Sequence, residues 1–352
     1  MINKNMENRV LGPDNIFLQV NYECYLKCVM CDRHTWIKNK ANIDNVLTNV
    51  ELTDLFVQLA KLGTKKITLV GTDPVIRPDI KDILSKIKSL GMKPELYTAG
   101  IVLKDDLINS ILKNYVDISF SIDGFKRDSH NRIRYPDGKF DAFGKTISSI
   151  KRLSNARNLT RLTKNDVRIL ANFTLQSENI NDLNTVTADQ IDYFGVDTLR
   201  ISIAHGNGSY KLDRKAIPTI KKFIVDINNL NTKTEIIFST TINNMGLGLI
   251  EPDDFDQDIL IPSSLFKENK LATCPISKIS AMIDPQGNVY PCLYLYNDNG
   301  SYQDKSRQKF IMGTIKSQLF GDIWNGKKYN NFRKGKYPDL STGSKCLTCE
   351  YI

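Results

Sequence analysis

The residues with the clearest chemistry are the cysteines. There are seven: Cys24, Cys28, Cys31, Cys274, Cys292, Cys346 and Cys349. An odd number does not close into a set of disulfides, and 242 cysteine-free residues separate Cys31 from Cys274. Two metal sites fit that split better than pairing does. Cys24-x3-Cys28-x2-Cys31 puts three thiols on one short loop. Three thiolates can hold three irons of a [4Fe–4S] cluster and leave the fourth iron open to a cofactor or substrate. Structural zinc takes four protein ligands, so three close cysteines suit it less well. A zinc loop completed by His34, or cysteines that merely pack, are the other readings. The second constellation is Cys274-x12-Gly287-x4-Cys292, then a gap of 53 residues, then Cys346-x2-Cys349. Four thiolates saturate one cluster, and the same spacing also allows a four-cysteine zinc ribbon.

Loops of this kind need rigid elements behind them. Short apolar runs at Ile16–Val20, Ile67–Val70, Pro94–Thr98, Asp117–Ile122, Val167–Leu175 and Thr198–Ala204 read as strands. Each is followed by apolar residues at helical spacing, such as Leu52, Leu55, Phe56 and Leu59, or Ile80, Ile83, Leu84 and Ile87. Six such βα units predict an α/β fold with a parallel sheet, helices outside it and right-handed crossovers. An open six-stranded sheet and a partial barrel give the same pattern. In both, the loops beyond the strands' C-terminal ends build the site, and the three-cysteine loop follows the first strand. After about residue 231 the pattern changes to short strand-like pieces. Asp284-Pro285-Gln286-Gly287-Asn288 reads as a hairpin turn, and Phe320–Phe332 as one short helix.

With these residues in place, the chain resembles the radical S-adenosylmethionine (SAM) superfamily. The resemblance implies a partial (βα)6 barrel of the TIM type. It implies a cluster on Cys24, Cys28 and Cys31 whose open iron chelates the amino and carboxylate groups of SAM. One electron then cleaves SAM to methionine and a 5′-deoxyadenosyl radical, which removes hydrogen from an unactivated C–H bond. Where the family has Gly-Gly-Glu-Pro, this chain reads Gly71-Thr72-Asp73-Pro74. Small residues let the backbone approach a ligand, and an acidic side chain can accept from the SAM ammonium. The Gly→Thr and Glu→Asp departures shorten that reach and shift the contact toward backbone carbonyls. Thr98-Ala99-Gly100 stands where the family has Thr-Asn-Gly, and Ser119-Phe120-Ser121-Ile122-Asp123-Gly124 forms the fourth strand. His130-Asn131-Arg132-Ile133-Arg134 resembles the family's His-Asp-x-Ile-Arg. By that likeness Ser121 meets the ribose, Arg134 the SAM carboxylate and Met30 the adenine, where an aromatic residue is more usual. The C-terminal cysteines resemble the SPASM extension, or its shorter twitch form with one fully ligated auxiliary [4Fe–4S] cluster.

The division expected is an N-terminal tail over 1–13, a radical SAM core over 14–230, a linker over 231–249 and a twitch-like domain over 250–352. Lys and Arg number 48 against 39 Asp and Glu, a formal charge of +9 without a basic block. That mild excess reads as a solvated surface, which acidic or phosphorylated substrates would also suit, and calls for no nucleic acid. No apolar run is long enough for a membrane span, and the first residues lack a secretory h-region, so a cytoplasmic protein is expected. If all seven cysteines are ligands, none remains to return a hydrogen atom to a substrate radical. A saturated auxiliary cluster can instead accept an electron. That favours a two-electron oxidation, and the four-cysteine spacing resembles that of twitch-containing radical SAM dehydrogenases that oxidise a secondary alcohol of an aminocyclitol. By that resemblance the expected function is oxidation of a small polar metabolite, a sugar or cyclitol alcohol, with flavodoxin or ferredoxin as electron donor. Modification of a ribosomal peptide is the alternative, and an iron–sulfur or zinc nucleic-acid-binding protein a remote one. The first strand begins so early that no N-terminal peptide-recognition domain is expected. His205, after the sixth strand, is a candidate proton-transfer or substrate contact.

Overall fold

A computed structural model describes residues 12–31, 45–204, 209–210, 212, 214–238, 276–296 and 309–334. Its six expected strands form in sequence: β1 (Asn15–Gln19), β2 (Lys66–Val70), β3 (Lys93–Thr98), β4 (Asp117–Ser121), β5 (Ile169–Leu175) and β6 (Thr198–Ile203). They pair in parallel, each with the next. Between them lie α1 (Asn49–Lys61), α2 (Ile80–Ser89), α3 (Asp105–Lys113), α4 (Arg127–Arg134), α5 (Ala142–Leu159), α6 (Ala188–Asp192) and, after β6, α7 (Ile217–Asn228). Local sequence starts these helices. Thr48 and Glu51 form a reciprocal capping box on α1, and Asp141 Oδ1 accepts from Gly144 N at 3.0 Å on α5.

The sheet extends beyond the six strands at both edges. β7 (Glu235–Phe238) pairs in parallel with β6, within the stretch assigned as a linker. β8 (Ser280–Ile283) pairs in parallel with β1 and turns back into β9 (Asn288–Tyr290), which carries β10 (Gly313–Thr314). The order across the sheet is β10-β9-β8-β1-β2-β3-β4-β5-β6-β7. Each edge of a six-stranded sheet offers a row of backbone donors and acceptors, and these added strands satisfy them. The expected hairpin is present. Asp284 Oδ1 accepts from Gln286 N at 3.0 Å and Asn288 N at 2.8 Å, and Gly287 takes φ +88°. The expected C-terminal helix is two, Phe320–Asn325 and Lys327–Arg333, broken at Gly326, whose extended backbone ends the first.

Alternation along the strands divides the sheet into unlike faces. Ile16, Leu18, Ile67, Leu69, Leu96, Ile118, Phe120, Ile169, Phe173, Leu199 and Ile201 join the apolar residues of the helices in one core. Several of the intervening positions are polar and bond across strands. Thr68 Oγ1 donates to Glu95 Oε2 at 2.9 Å, Asn172 Nδ2 to Ser119 Oγ at 2.9 Å, and Arg200 Nη1 to Tyr97 OH at 2.6 Å. Helices α1, α2, α3 and α5 pack side by side. The fold is thus a parallel sheet with its helices on the apolar face, the arrangement of a partial barrel whose inner face is polar.

Candidate active site

The cysteine loop leaves the C-terminal end of β1. Cys28 is buried, Cys24 half-buried and Cys31 exposed. Its backbone hangs on the last turn of α4: Lys27 N donates to Arg134 O at 3.2 Å, and Val29 N to Ile133 O at 2.9 Å. These are carbonyls that a helix C-terminus leaves without intrahelical partners, so holding the loop satisfies both sides. Leu26 and Cys28 pack with Ala99, Ile101 and Ala142, and Met30 and Cys24 rest against that group. The His130–Arg134 motif thus lies on a helix, α4, whose last turn positions the cysteine loop.

Arg134 brings charge to the thiols. Its Nη1 lies 3.6 Å from Cys28 Sγ, and its Nε 2.6 Å from Asp123 Oδ2. Burial pushes the Cys28 thiol up to about 12; Arg134 opposes this, and Cys31 and Cys24 add to it. Burial alone would lower the pKa of Arg134, but Asp123 and Cys28 outweigh it and raise it. Among the described residues no three Cys, His, Asp or Glu side chains converge on one ion. A cubane cluster does not need such convergence, because its cysteines bind separate irons. Coordination deprotonates a thiol outright, and the guanidinium supplies a cation beside the resulting sulfur. Three thiols on a braced loop, with a fixed cation against the buried one, fit an iron–sulfur cluster.

The other predicted residues gather around the same strand ends. Gly71 takes φ +105°, and a Cβ there would lie 2.5 Å from Gln19 Cγ. Thr72 Oγ1 donates to Asn21 O at 2.9 Å, and Asn21 Nδ2 to Asp73 O at 3.0 Å. Pro74 opens a 3-10 turn. Asp73 is buried, and its carboxylate turns toward β3: Thr98 Oγ1 donates to Oδ1 at 2.8 Å and Ala99 N to Oδ2 at 3.3 Å. The shorter acid thus braces the neighbouring loop. Ser121 is half-buried at the end of β4. Two positions beyond it, Asp123 holds Arg134. Asp123 Oδ1 also accepts from Thr174 N at 3.0 Å, and its N–H donates to His130 Nδ1 at 3.2 Å. Burial, followed by Arg134, pushes His130 down to about 3, so it is a neutral acceptor.

Asp123 went without a role in the sequence reading, as did Asn179, whose Nδ2 donates to Asp123 O at 3.1 Å. An acidic residue ending a strand above a basic helix is the only local signal for the first; none marks the second. Arg77 was also missed. It pairs with Asp79 and donates through Nη1 to Val20 O at 2.7 Å, fixing the chain just before the cysteines.

Of the second constellation, Cys292 is buried and its sulfur accepts from Leu295 N at 3.4 Å, a contact that suits a thiolate. Nearby, Tyr296 OH donates to Gln19 Oε1 at 2.5 Å and so ties this region to β1. Cys274, Cys346, Cys349, His34 and His205 lie outside the described residues. Among the described residues no helix is long and apolar enough to cross a membrane.

Comparison with known proteins bears on both cysteine groups. Residues 18–164 match the radical SAM superfamily, and residues 274–350 match SPASM, an iron–sulfur cluster-binding domain. The AdoMet-dependent heme synthase of Methanosarcina barkeri (strain Fusaro / DSM 804) is 22% identical over 344 residues, covering 97% of this chain and 89% of that protein. The mycofactocin maturase MftC of Mycolicibacterium smegmatis is 23% identical, covering 97% of this chain and 76% of that protein. Among solved structures, Streptococcus suis SuiB bound to S-adenosylmethionine gives a TM-score of 0.61 at 16% identity, over 96% of this chain and 69% of that one. The structure of anSMEcpe with AdoMet and a Cp18Cys peptide gives 0.62 at 17% identity, over 91% and 82%. These two likenesses establish the fold. With the two domain matches and the cysteine loop braced by α4, the chain is a radical SAM enzyme with a SPASM-type domain toward its C-terminus, whose cofactors are S-adenosylmethionine and [4Fe–4S] clusters.

Proposed function

We propose that this enzyme oxidises a small polar metabolite at an alcohol-bearing carbon, a sugar or cyclitol being the class in view. The observation that carries the reading is the inner sheet face. Ser119, Asn172, Arg200 and Tyr97 form a hydrogen-bonded chain there, complementary to a hydroxyl-rich molecule. When bound, SAM and its cluster supply a 5′-deoxyadenosyl radical able to abstract hydrogen. The chain's own residues do the holding. Cys24, Cys28 and Cys31 would hold that cluster, and Cys274, Cys292, Cys346 and Cys349 would hold an auxiliary one, which would supply an acceptor for the second electron of the oxidation. Around SAM, Arg134 would hold the carboxylate, Ser121 the ribose and Met30 the adenine. Gly71, Thr72 and Pro74 would shape the loop that receives the SAM ammonium. With Asp73 engaged by Thr98, backbone carbonyls of this loop would be the acceptors for that ammonium. His205 is assigned to substrate contact or proton transfer. The core is taken to end near residue 230, with the auxiliary domain over 250–352 and β7 joining the core sheet between them. A flavodoxin or ferredoxin would supply the electron.

A second reading, modification of a peptide, is supported by the names of relatives and neighbours, among them a maturase and a structure holding a Cp18Cys peptide. One experiment separates the two. Reconstituted enzyme, SAM and dithionite are incubated with sugars and aminocyclitols deuterated at the carbinol carbons, and with deuterated peptides. Oxidation predicts deuterium in 5′-deoxyadenosine and one ketone per SAM consumed. Label transfer from peptides alone would replace the first reading by the second.

A further inference from the structure

Arg134 is gripped from two sides. Its Nε lies 2.6 Å from Asp123 Oδ2, and its Nη1 reaches Cys28 Sγ at 3.6 Å. Asp123 is fully buried, and only 11% of the Arg134 side chain is exposed. Asp123 is in turn fixed by Thr174 N on its carboxylate, by Asn179 Nδ2 on its carbonyl and by His130 Nδ1 on its amide. The carbonyls of Ile133 and Arg134 hold the cysteine loop itself. The guanidinium and the Cys28 sulfur are therefore parts of one braced unit, and neither moves without the other.

We propose that Asp123 and Arg134 form a buried charge pair that sets the reduction potential of the cluster held by Cys28. Arg134 acts on the sulfur directly, and Asp123 is a positioning residue that also offsets its charge. The inference rests on the assignment of Cys24, Cys28 and Cys31 as cluster ligands. One-electron reduction adds one negative charge to the cluster; no bond breaks and no proton is transferred. A cationic donor on a ligand sulfur stabilises that extra charge, and burial leaves the effect little screened. A carboxylate behind the cation opposes it. Opposite charges at these two positions must therefore shift the potential in opposite directions.

The test is an EPR-monitored titration with dithionite of the reconstituted full chain without SAM. The Cys346→Ala/Cys349→Ala variant identifies which signal belongs to the N-terminal cluster. Arg134→Gln should lower the equilibrium constant for reduction roughly tenfold, about 59 mV for one electron. Asp123→Asn removes the charge at nearly constant shape, leaving one oxygen where Thr174 N and Arg134 Nε now face two, and should raise that constant by a similar factor. The double variant, which removes both charges together, should return to within about threefold of the native value, by the logic of a double-mutant cycle. Shifts of the same sign, or none with iron content intact, would overturn the proposal. If Arg134→Gln loses iron, Asp123→Asn carries the test alone: with iron content intact it should still raise the constant about tenfold, and an unchanged or lowered potential there overturns the proposal as well. A cluster retained in Cys28→Ala, by contrast, would refute the ligand assignment on which the proposal stands.

Discussion

Gly71→Ala tests whether the loop after β2 is held as tightly as its geometry implies. Gly71 sits at φ +105°, where an L side chain is strained. Its added Cβ would lie 2.5 Å from Gln19 Cγ and 2.6 Å from Gln19 Cδ. Gln19 cannot swing aside cheaply: it is fully buried, its Nε2 donates to Asn21 O at 2.9 Å, and its Oε1 accepts from Tyr296 OH at 2.5 Å. Backbone strain costs about 1–3 kcal/mol, and forcing extra carbon into a packed interior about 1–3 more. The expected loss is then ~2–6 kcal/mol, read as a fall in the urea midpoint followed by far-UV circular dichroism. Gln19→Ser provides the internal control. In the Gly71→Ala/Gln19→Ser double variant the steric part disappears, so the loss should fall short of the sum of the single losses by ~1–3 kcal/mol. SAM affinity, measured by equilibrium dialysis on the reconstituted protein, should weaken in Gly71→Ala because Thr72 and Asp73 move with the loop. A single variant within ~1 kcal/mol of native, or strictly additive losses, would refute the reasoning.

Replacing Cys24, Cys28 and Cys31 together by Ala should remove about four irons and all SAM cleavage; 5′-deoxyadenosine formed by the triple variant with dithionite would locate the radical site elsewhere. Cys346→Ala/Cys349→Ala should lower iron content while SAM cleavage continues and oxidised product disappears, and full product formation would remove the auxiliary cluster from the electron path. His130 gives a pH signature. Its folded pKa is depressed to about 3 by burial and then by Arg134. Between the ordinary histidine value near 6.5 and about 3, the unfolded chain binds a proton that the folded one does not, so this residue's contribution to stability is lost as pH falls. The stability of the native protein relative to His130→Asn should therefore fall by ~1–2 kcal/mol from pH 7 to pH 5. A difference independent of pH would mean that His130 is accessible to protons in the folded state.

The local elements and the kinds of chemistry were legible in the amino-acid order alone. Apolar spacing of two against three to four residues separated the strands from the helices, because each element must turn one face to the core. The Cys24–Cys28–Cys31 spacing was legible because the three cysteines lie on one loop, where covalent geometry limits how far apart they can be. The turn at Asp284–Asn288 was also local, closed by a side chain bonding to backbone two and four residues on. What the tertiary structure decided is how distant polar groups meet. The sequence allowed an acidic contact at Asp73, but packing turned its carboxylate onto Thr98 and Ala99. It marked Arg134 through its motif, but only packing places that side chain between Asp123 and Cys28 and lends the carbonyls of α4 to the cysteine loop. It divided the chain near residue 230, whereas β7 and β8 extend the core sheet at both edges. Periodicity records which face of an element is buried. It carries no record of which element lies against that face, so ion pairs, loop braces and edge-strand partners are settled only when elements far apart in sequence pack together.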